Sequence, residues 1–196
     1  MVKSVTLKEI LPFEQYEILR PRLRPLFLAD KERHRLALGN HMTLLFENGQ
    51  SVWYQIQEMV RTERLTAENA IRHEIDTYND LLPRAGELAA TMLIEYPDPQ
   101  ERDSKLRRLV GLEQHLWIRI GERREQARFD SRQMATDRIS SVQFVRFRLG
   151  GLEPEEFAAM ARHGKIEIEV DHPELRVTVA ITGEIASALA RDLAVD

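Results

Sequence analysis

Residues 41–83 constrain the fold more than any other part of this chain, because they combine a short apolar run with two amphipathic segments. The stretch reads HMTLLFENGQSVWYQIQEMVRTERLTAENAIRHEIDTYNDLLP. The apolar run at residues 42–46 is followed by Glu-Asn-Gly-Gln, in which asparagine and glycine tolerate positive φ and favour a turn. The stretch therefore predicts an apolar run, a turn and two helices that each bury one face.

Helix boundaries follow from the polar residues that precede each apolar face. Ser51 is a candidate N-cap for the first helix, and Thr66 is a candidate for the second, which Pro83 ends. A strand through residues 52–54 (Val-Trp-Tyr) with a later helix start is the alternative, because these residue types also favour sheets. At helical spacing the two apolar faces consist of Val52, Ile56, Met59 and Val60, and of Ala67, Ala70, Ile71, Ile75, Tyr78 and Leu82.

One carboxylate interrupts each apolar face, Glu63 on the first helix and Glu74 on the second. A lone buried carboxylate costs several kcal/mol unless it is paired, protonated or bound to a metal. The simpler interpretation places Glu63 at a solvated helix end and pairs Glu74 with an arginine. The alternative is a transition-metal site between the helices, formed by Glu63 and Glu74 with Glu58 or His73. Neither helix carries the Glu-x-x-His pair of di-iron bundles, which disfavours a ferritin-type centre.

Hydrogen-bonding side chains are also dense in this two-helix unit. Such groups can line a cleft that binds a ligand. They can equally form the solvated side of a helix. The cleft hypothesis names Gln55, Gln57, Glu58, Arg61, Tyr78 and Asn79.

Beyond the central stretch, short strands alternate with turns and single helices. Strands are predicted at residues 88–96, 115–120, 125–129, 142–149, 166–170 and 175–181. Helices are predicted after Asp98 or Pro99, after Pro154 and over residues 185–193, and a loop over residues 131–140. Because hairpin turns or single helices join the strands, the pattern indicates an α+β fold with a mainly antiparallel sheet covered by helices.

The first 40 residues are predicted to form a helical, basic N-terminal arm, and residues 41–196 a single α+β domain. Thr6 can cap a short helix, and a second can start at residue 13 after Pro12. Pro21 and Pro25 are expected to break this helix, and a further one at 26–38 would end at glycine.

Six cations between residues 20 and 35 concentrate positive charge in this arm. A solvated or acid-paired surface is the simpler interpretation, and an anion-binding surface is the alternative. Nucleic acid is disfavoured as a partner, because neither aromatic platforms nor a groove-fitting helix accompanies the charge. The cations are Arg20, Arg22, Arg24, Lys31, Arg33 and Arg35.

Composition excludes several chemistries. The 196 residues include no cysteine, which removes disulfides, thiolate nucleophiles and every Cys-ligated metal cluster. A formal net charge of −4 provides no overall attraction to nucleic acid or anionic membrane. The N-terminus lacks the apolar core of a signal peptide, and no apolar run approaches membrane-spanning length. A cytoplasmic protein without membrane contact is therefore expected.

No histidine or glycine pattern indicates a known active site. The six histidines form neither HxH nor HExxH, and serine-hydrolase elbows, Walker loops and dinucleotide-binding glycine motifs are absent. His73 and Glu74 are adjacent, but consecutive helical residues point about 100° apart. His172 lies at a predicted hairpin tip, where a turn role is favoured over general-base catalysis.

Several short motifs resemble a bacterial family of unknown function. They are His41-x-Thr43 with Phe46-Glu47-Asn48, Tyr54-Gln55-x-Gln57-Glu58-Met59, Tyr78-Asn79 with Pro83, Val142-x-Phe144-x-x-Phe147, and Asp171-His172-Pro173. The resemblance covers nearly the whole chain, and members are often encoded beside rubrerythrin and an iron–sulfur oxidoreductase. It implies a cytoplasmic accessory role near peroxide or redox metabolism, and it assigns no active residues.

These observations lead to three hypotheses. The first is a non-enzymatic accessory or interaction protein that works with a rubrerythrin-like or iron–sulfur redox partner, as a homo-oligomer or hetero-complex. The second is a metal-binding protein or metal-dependent enzyme that uses the carboxylate site between the two central helices. The third is anion or nucleic-acid binding by the basic arm, which predicts a steep salt dependence.

Overall fold

The structure is a computed structural model that describes residues 4–130 and 136–194. Within these residues it contains six α-helices and nine β-strands. The helices are α1 (Phe13–Arg33), α2 (Gly49–Thr62), α3 (Glu68–Asn79), α4 (Pro99–Arg108), α5 (Pro154–Arg162) and α6 (Gly183–Leu193). The strands are β1 (Arg35–Ala37), β2 (Met42–Phe46), β3 (Glu87–Ile94), β4 (Leu116–Ile120), β5 (Arg123–Gln126), β6 (Arg128–Phe129), β7 (Val142–Arg148), β8 (Ile166–His172) and β9 (Leu175–Ala180).

The strands form two antiparallel sheets. One has the strand order β1-β2-β3-β7-β6 and the other β5-β4-β8-β9. The chain passes from the second sheet to the first at Ala127, between β5 and β6. The predicted α+β class with mainly antiparallel pairing is confirmed, with the strands divided between two sheets. In the described ranges, no helix is long and apolar enough to cross a lipid bilayer.

The main hydrophobic core takes side chains from both sheets and from α4, α5 and α6. Along β4 and β8 every second residue is buried, because successive side chains of a strand point to opposite faces. A smaller second core joins the N-terminal segment to α2 and α3, and it contains most of the predicted apolar faces of those helices, although Ala67 is exposed. Its buried members are Val5, Val52, Ile56, Val60, Ile75 and Leu82.

The N-terminal region differs from the predicted series of short helices. Helix α1 runs without interruption for 21 residues through Pro21 and Pro25, so the predicted break is wrong. Each proline lacks the N–H that would bond to the carbonyl four residues earlier, but both lie on the exposed side of the helix. Water can therefore satisfy the freed carbonyls. The predicted helix at 26–38 is also wrong at its end, because β1 pairs with β2 there.

The start of α2 is fixed by reciprocal hydrogen bonds, and the alternative of a strand at residues 52–54 is wrong. Asn48, not Ser51, is the N-cap: its side chain accepts the Ser51 N–H at 2.8 Å, and the Ser51 hydroxyl accepts the Asn48 N–H at 3.0 Å. At the start of α3, Ala67 occupies the cap position without a side-chain hydrogen bond, so the Thr66 cap is wrong by one residue.

The remaining elements largely match their patterns. Asp98 caps α4 by accepting the N–H of Glu101 at 2.7 Å, and Pro154 opens α5 as predicted. The predicted strand at 125–129 is divided, because β5 pairs with β4 whereas β6 pairs with β7 in the other sheet. Of the predicted loop at 131–140, residues 131–135 lie outside the described residues, and 136–140 are irregular.

Candidate functional site

Two of the predicted cleft residues bind backbone of the N-terminal segment. Gln57 is fully buried, accepts the N–H of Leu11 at 2.9 Å and donates to the Leu11 carbonyl at 3.0 Å. Asn79 makes the same pair of bonds to Val5, at 2.9 Å each. Both amides therefore hold the N-terminal segment against α2 and α3, and their hydrogen-bonding groups are already satisfied by backbone.

Two other cleft candidates pair with side chains of α1. Glu58 receives two hydrogen bonds from Arg20, at 2.7 and 2.8 Å, and one from the hydroxyl of Tyr16 at 2.6 Å. The hydrogen bond from Arg20 holds the pKa of Glu58 below its usual range, although burial opposes the effect. Burial and the bond to Glu58 raise the pKa of Tyr16 far above its ordinary value. Arg61 forms an ion pair with Glu17.

The predicted metal ligands lie in different surroundings. Glu63 ends α2 and is exposed, as the simpler interpretation expected, and His73 is exposed on α3. Glu74 is half-buried and pairs with no arginine among the described residues, so that part of the simpler interpretation is wrong. Glu58 is occupied by Arg20. Across residues 4–130 and 136–194, no three histidine or carboxylate side chains are grouped to hold a metal ion.

Gln55 and Tyr78 are the remaining candidates for the predicted cleft. Gln55 donates to the carboxylate of Glu47 at 3.2 Å. Tyr78 packs against the smaller core, and burial, with the charges of Glu74 and Glu63, raises its pKa. These two carboxylates thus lie close enough to Tyr78 to affect its ionisation. The metal-site hypothesis for Glu63 and Glu74 stays a prediction without a converging ligand set.

The N-terminal cations mostly follow the simpler interpretation of a solvated or acid-paired surface. Arg20 pairs with Glu58, and Arg35 lies 3.3 Å from Glu32. Arg22 and Arg33 are exposed to solvent on α1.

A buried polar cluster that joins α1, α2 and α6 was not among the predicted sites. His34, which follows α1, is only 3% exposed. Its Nδ1 lies 2.8 Å from the backbone carbonyl of Asp30, and its Nε2 lies 2.8 Å from a carboxylate oxygen of Asp192 on α6. The side-chain amide of Asn48 donates to the same carboxylate at 3.2 Å. The cluster therefore links the ends of two helices to the start of a third.

The contacts of His34 favour a charged ring. A carbonyl and a carboxylate accept hydrogen bonds, so the two 2.8 Å contacts match the imidazolium form, in which both ring nitrogens donate. The amide nitrogen of Asn48 is a more distant neighbour of Nε2, at 3.3 Å. Burial lowers the pKa of His34, but the hydrogen bonds to Asp192 and Asp30 and the charges of both carboxylates raise it further, so the result is an increase. With both nitrogens engaged, His34 has no free position for general-base catalysis.

Glu47 lies beside this cluster and is 4% exposed. Its carboxylate accepts hydrogen bonds from the hydroxyls of Thr91, at 2.6 Å, and Ser51, and from Gln55. No cation within the described residues is in ion-pair distance. Three neutral donors and the positive end of α2, which begins two residues later, replace the lost hydration of the carboxylate. Glu47 therefore fixes the junction between β2 and α2.

Aromatic side chains extend from the cluster along the contact between α1 and α2. The ring of Phe27 stacks on Trp53 with centroids 5.3 Å apart, and on Tyr54 with centroids 4.8 Å apart. The indole N–H of Trp53 donates to the carbonyl of Glu9 at 2.8 Å, which fixes the orientation of the ring. The sequence placed Trp53 and Tyr54 on a helix or strand, but it did not indicate that Phe27 would stack on both.

The polar cluster around His34 and the rings of Phe27 and Trp53 line one cavity of about 710 Å³, here called the α1–α2 cavity. A volume in this range accommodates a small organic ligand. The Asp30 carboxylate faces the cavity, and its closest polar contacts are long, 3.4 Å to His34 and 3.5 Å to Asn48. The lining residues are Val5, Glu9, Leu23, Leu26, Phe27, Asp30, His34, Asn48, Gly49, Gln50, Trp53, Arg191 and Asp192.

Comparison with known proteins places the chain in a family. Residues 4–193 match a family described as "Protein of unknown function (DUF3501)". The chain belongs to the DUF3501 family. A search of curated proteins finds no match. One similar solved structure is the crystal structure of a novel protein of unknown function from Burkholderia pseudomallei K96243. It is 32% identical, with a TM-score of 0.86 over 97% of this chain and 100% of that one.

Membership of the DUF3501 family confirms the resemblance to a family of unknown function. The expected association with rubrerythrin goes beyond this match and stays an implication of the resemblance. Glu47 and Asn48 belong to the motifs that carried the resemblance, so these motifs were the available signal for the buried cluster. His34, Asp30 and Asp192 had no comparable signal, because residues 34 and 192 are 158 positions apart.

Proposed function

We propose that this DUF3501 protein is a non-enzymatic accessory protein that binds a small amphipathic amine in the α1–α2 cavity. The observation that carries the proposal is the Asp30 carboxylate, which faces a largely apolar cavity and has only long polar contacts. An ammonium group would give this carboxylate a charge-assisted hydrogen bond in a partly dehydrated place. The stacked rings of Phe27 and Trp53 would cover the apolar part of the ligand.

The charges around the cavity favour a cation over an anion. His34 and Asp192 neutralise each other, and the Asp30 carboxylate lies beside them in the lining. Its negative charge would repel a carboxylate or phosphate and attract an amine. A non-catalytic role is favoured because His34 has both nitrogens engaged, and the cavity contains no hydroxyl or amine nucleophile paired with a base.

Isothermal titration calorimetry with three compounds of similar shape tests the proposal. We expect 2-phenylethylamine to bind more tightly than 2-phenylethanol, and 3-phenylpropanoate to bind least. Asp30→Asn keeps the shape of the side chain but removes its charge. It should weaken amine binding about ten-fold, because the affinity loses the contribution of one charge-assisted hydrogen bond.

The matched control is Glu14→Gln, which removes one negative charge from an exposed position on the same helix. It should change the affinity less than two-fold, because a solvated charge at that distance is screened. Equal affinity for the amine and the alcohol, or unchanged amine binding by Asp30→Asn, would remove the basis of the proposal.

The accessory role itself is proposed from the family resemblance and from exposed apolar residues on α1. Ile18 is 77% exposed and Leu26 is 67% exposed, and among the described residues the large exposed apolar side chains all belong to this helix. Such exposed groups often mark a contact surface. We propose that a rubrerythrin-like or iron–sulfur redox protein binds there, in the cytoplasm.

Co-elution of the purified chain with a rubrerythrin at micromolar concentration tests this contact, with the native mass of the chain alone recorded on the same column. The double variant Ile18→Glu and Leu26→Glu should abolish co-elution, whereas Ser104→Glu, at an exposed position of α4, should not. A mass above one chain that the double variant reduces to one chain would instead assign the surface to self-association.

A further inference from the structure

A second cavity lies where the two sheets meet α4, and its chemistry differs from that of the α1–α2 cavity. It has a volume of about 310 Å³ and is here called the seam cavity. Its floor consists of buried apolar side chains from β2, from β3, from the residue that follows α4 and from the segment before β2. These floor residues are Leu38, Met42, Ile94 and Leu109. A cavity of this size fits a single ring with one substituent.

An aromatic pair forms one wall of the seam cavity. The rings of His41 and Tyr96 stack with centroids 4.2 Å apart and an angle of 18° between their planes. A hydrogen-bond contact of 3.0 Å between Nδ1 of His41 and the carbonyl of Glu95 fixes the position of the imidazole. His41 itself is exposed, so its outer face is open to a planar ligand.

Positive charge surrounds this cavity although the whole chain has a formal net charge of −4. Lys105, Arg108 and Arg176 line it, and Glu174 is the one carboxylate in the lining. Glu174 pairs with Arg108 at 2.6 Å. Lys105 and Arg176 have no carboxylate within ion-pair distance in the described part of the chain. Two cations are thus left without a partner anion next to an apolar floor.

The hydroxyl of Tyr96 supplies a further donor. Burial, with the nearby charges of Glu101 and Glu174, raises the pKa of Tyr96 above its usual value. The hydroxyl therefore stays protonated at neutral pH and can donate to an anion. The ammonium nitrogen of Lys105 lies 6.0 Å from the centre of the Tyr96 ring. The cation and the ring that carries the hydroxyl donor are therefore neighbours in space.

We propose that the seam cavity binds a small aromatic carboxylate. The ring would lie on the apolar floor and against His41, and the carboxylate would face Lys105 and Arg176. Benzoate has the corresponding size and charge. The proposal does not depend on amine binding in the α1–α2 cavity, because the two cavities share no lining residue.

Titration of the protein with benzoate, followed by NMR of the aromatic and imidazole protons, tests the proposal. We expect saturable binding with shifts of the His41 and Tyr96 signals. Cyclohexanecarboxylate has the same charge without the aromatic face and should bind several-fold more weakly. Inorganic phosphate should bind more weakly still, because it has no apolar part.

Lys105→Gln and Arg176→Gln should each weaken benzoate binding about ten-fold, since each removes one charge-assisted contact. Arg22→Gln makes the same charge change at an exposed position of α1 and should have no effect. Benzoate binding that is unchanged when Lys105→Gln and Arg176→Gln are combined in one protein would overturn the proposal. So would binding that shifts the signals of other residues but not those of His41 and Tyr96. Equal binding of cyclohexanecarboxylate would overturn the aromatic specificity.

Discussion

Replacing Gln57 with methionine tests whether the buried amides of α2 and α3 are structural. Gln57 is fully buried and makes two hydrogen bonds to the backbone of Leu11. Methionine has a similar length and volume, so Gln57→Met removes the two bonds and leaves little cavity. Each lost bond is worth about 1 kcal/mol, and more where the backbone group stays dehydrated.

We therefore expect Gln57→Met to lower the free energy of unfolding by about 2 kcal/mol. For a domain of this size, that corresponds to a decrease of about 4–8 °C in Tm. Leu11 is half-buried, so water can reach part of its backbone. The loss of free energy should therefore stay near 1 kcal/mol for each hydrogen bond.

Urea denaturation followed by circular dichroism measures the change, with an unchanged m-value as evidence that the compactness of both states is preserved. Gln15→Met, on the exposed side of α1, is the matched control and should stay within about 0.5 kcal/mol of the wild type. A Gln57→Met protein as stable as the control would mean that the two bonds to Leu11 contribute nothing, and the cleft hypothesis for Gln57 would regain support.

Three further predictions concern charges and helix α1. The pKa of His34 is raised in the folded protein, so its charged form stabilises the fold fully below about pH 6.5. This stabilisation is lost as the pH rises through the higher pKa of the folded state. His34→Gln should abolish this pH dependence in denaturation curves between pH 6 and 9. Arg124, with smaller contributions from His115 and Trp117, holds the pKa of Asp171 well below its usual range. The ionised carboxylate therefore stabilises the fold above about pH 4, and this is lost on acidification; Asp171→Asn should flatten the acid limb of the stability curve. Pro25→Ala restores a hydrogen bond inside α1 and should raise stability by about 1–2 kcal/mol, measured as a higher Tm, whereas Pro12→Ala, at the helix cap, should not.

The elements that could be predicted are those whose pattern is local. α2 and α3 show an apolar face at helical spacing, and β4 and β8 alternate buried aliphatic residues with less buried ones, so burial of one face decides their structure. Helix α1 could not be predicted in this way, because Pro21 and Pro25 are locally helix-breaking. Whether a proline is tolerated depends on exposure of the freed carbonyls to water, which the tertiary fold determines.

The candidate site depended on contacts that no spacing along the chain encodes. The polar density around Gln57 and Glu58 suggested a cleft or a solvated helix face, whereas both side chains bind the N-terminal segment and α1. Their partners Leu11, Tyr16 and Arg20 lie about 40 residues earlier. Without those partners, a buried structural amide and an open binding cleft have the same sequence pattern. The same limit applies to His34, whose role follows only from its contacts with Asp30 and Asp192.

The contacts of α1 also bear on the predicted boundary at residue 40. The first 40 residues provide the edge strand β1, the partners of Glu58 and one wall of the α1–α2 cavity. A chain that begins at residue 41 would leave Gln57 and Asn79 without their backbone partners and would expose the smaller core to water.

We therefore expect this shortened chain to aggregate or to lose cooperative unfolding, even though residues 41–196 contain all the other strands and helices. Thermal unfolding and size-exclusion chromatography would distinguish the cases. A shortened chain that unfolds cooperatively as a compact species would support an independent domain at 41–196. In that case the N-terminal arm would complete the α1–α2 cavity without being required for folding, because Asp30 and His34 would be needed only for ligand binding.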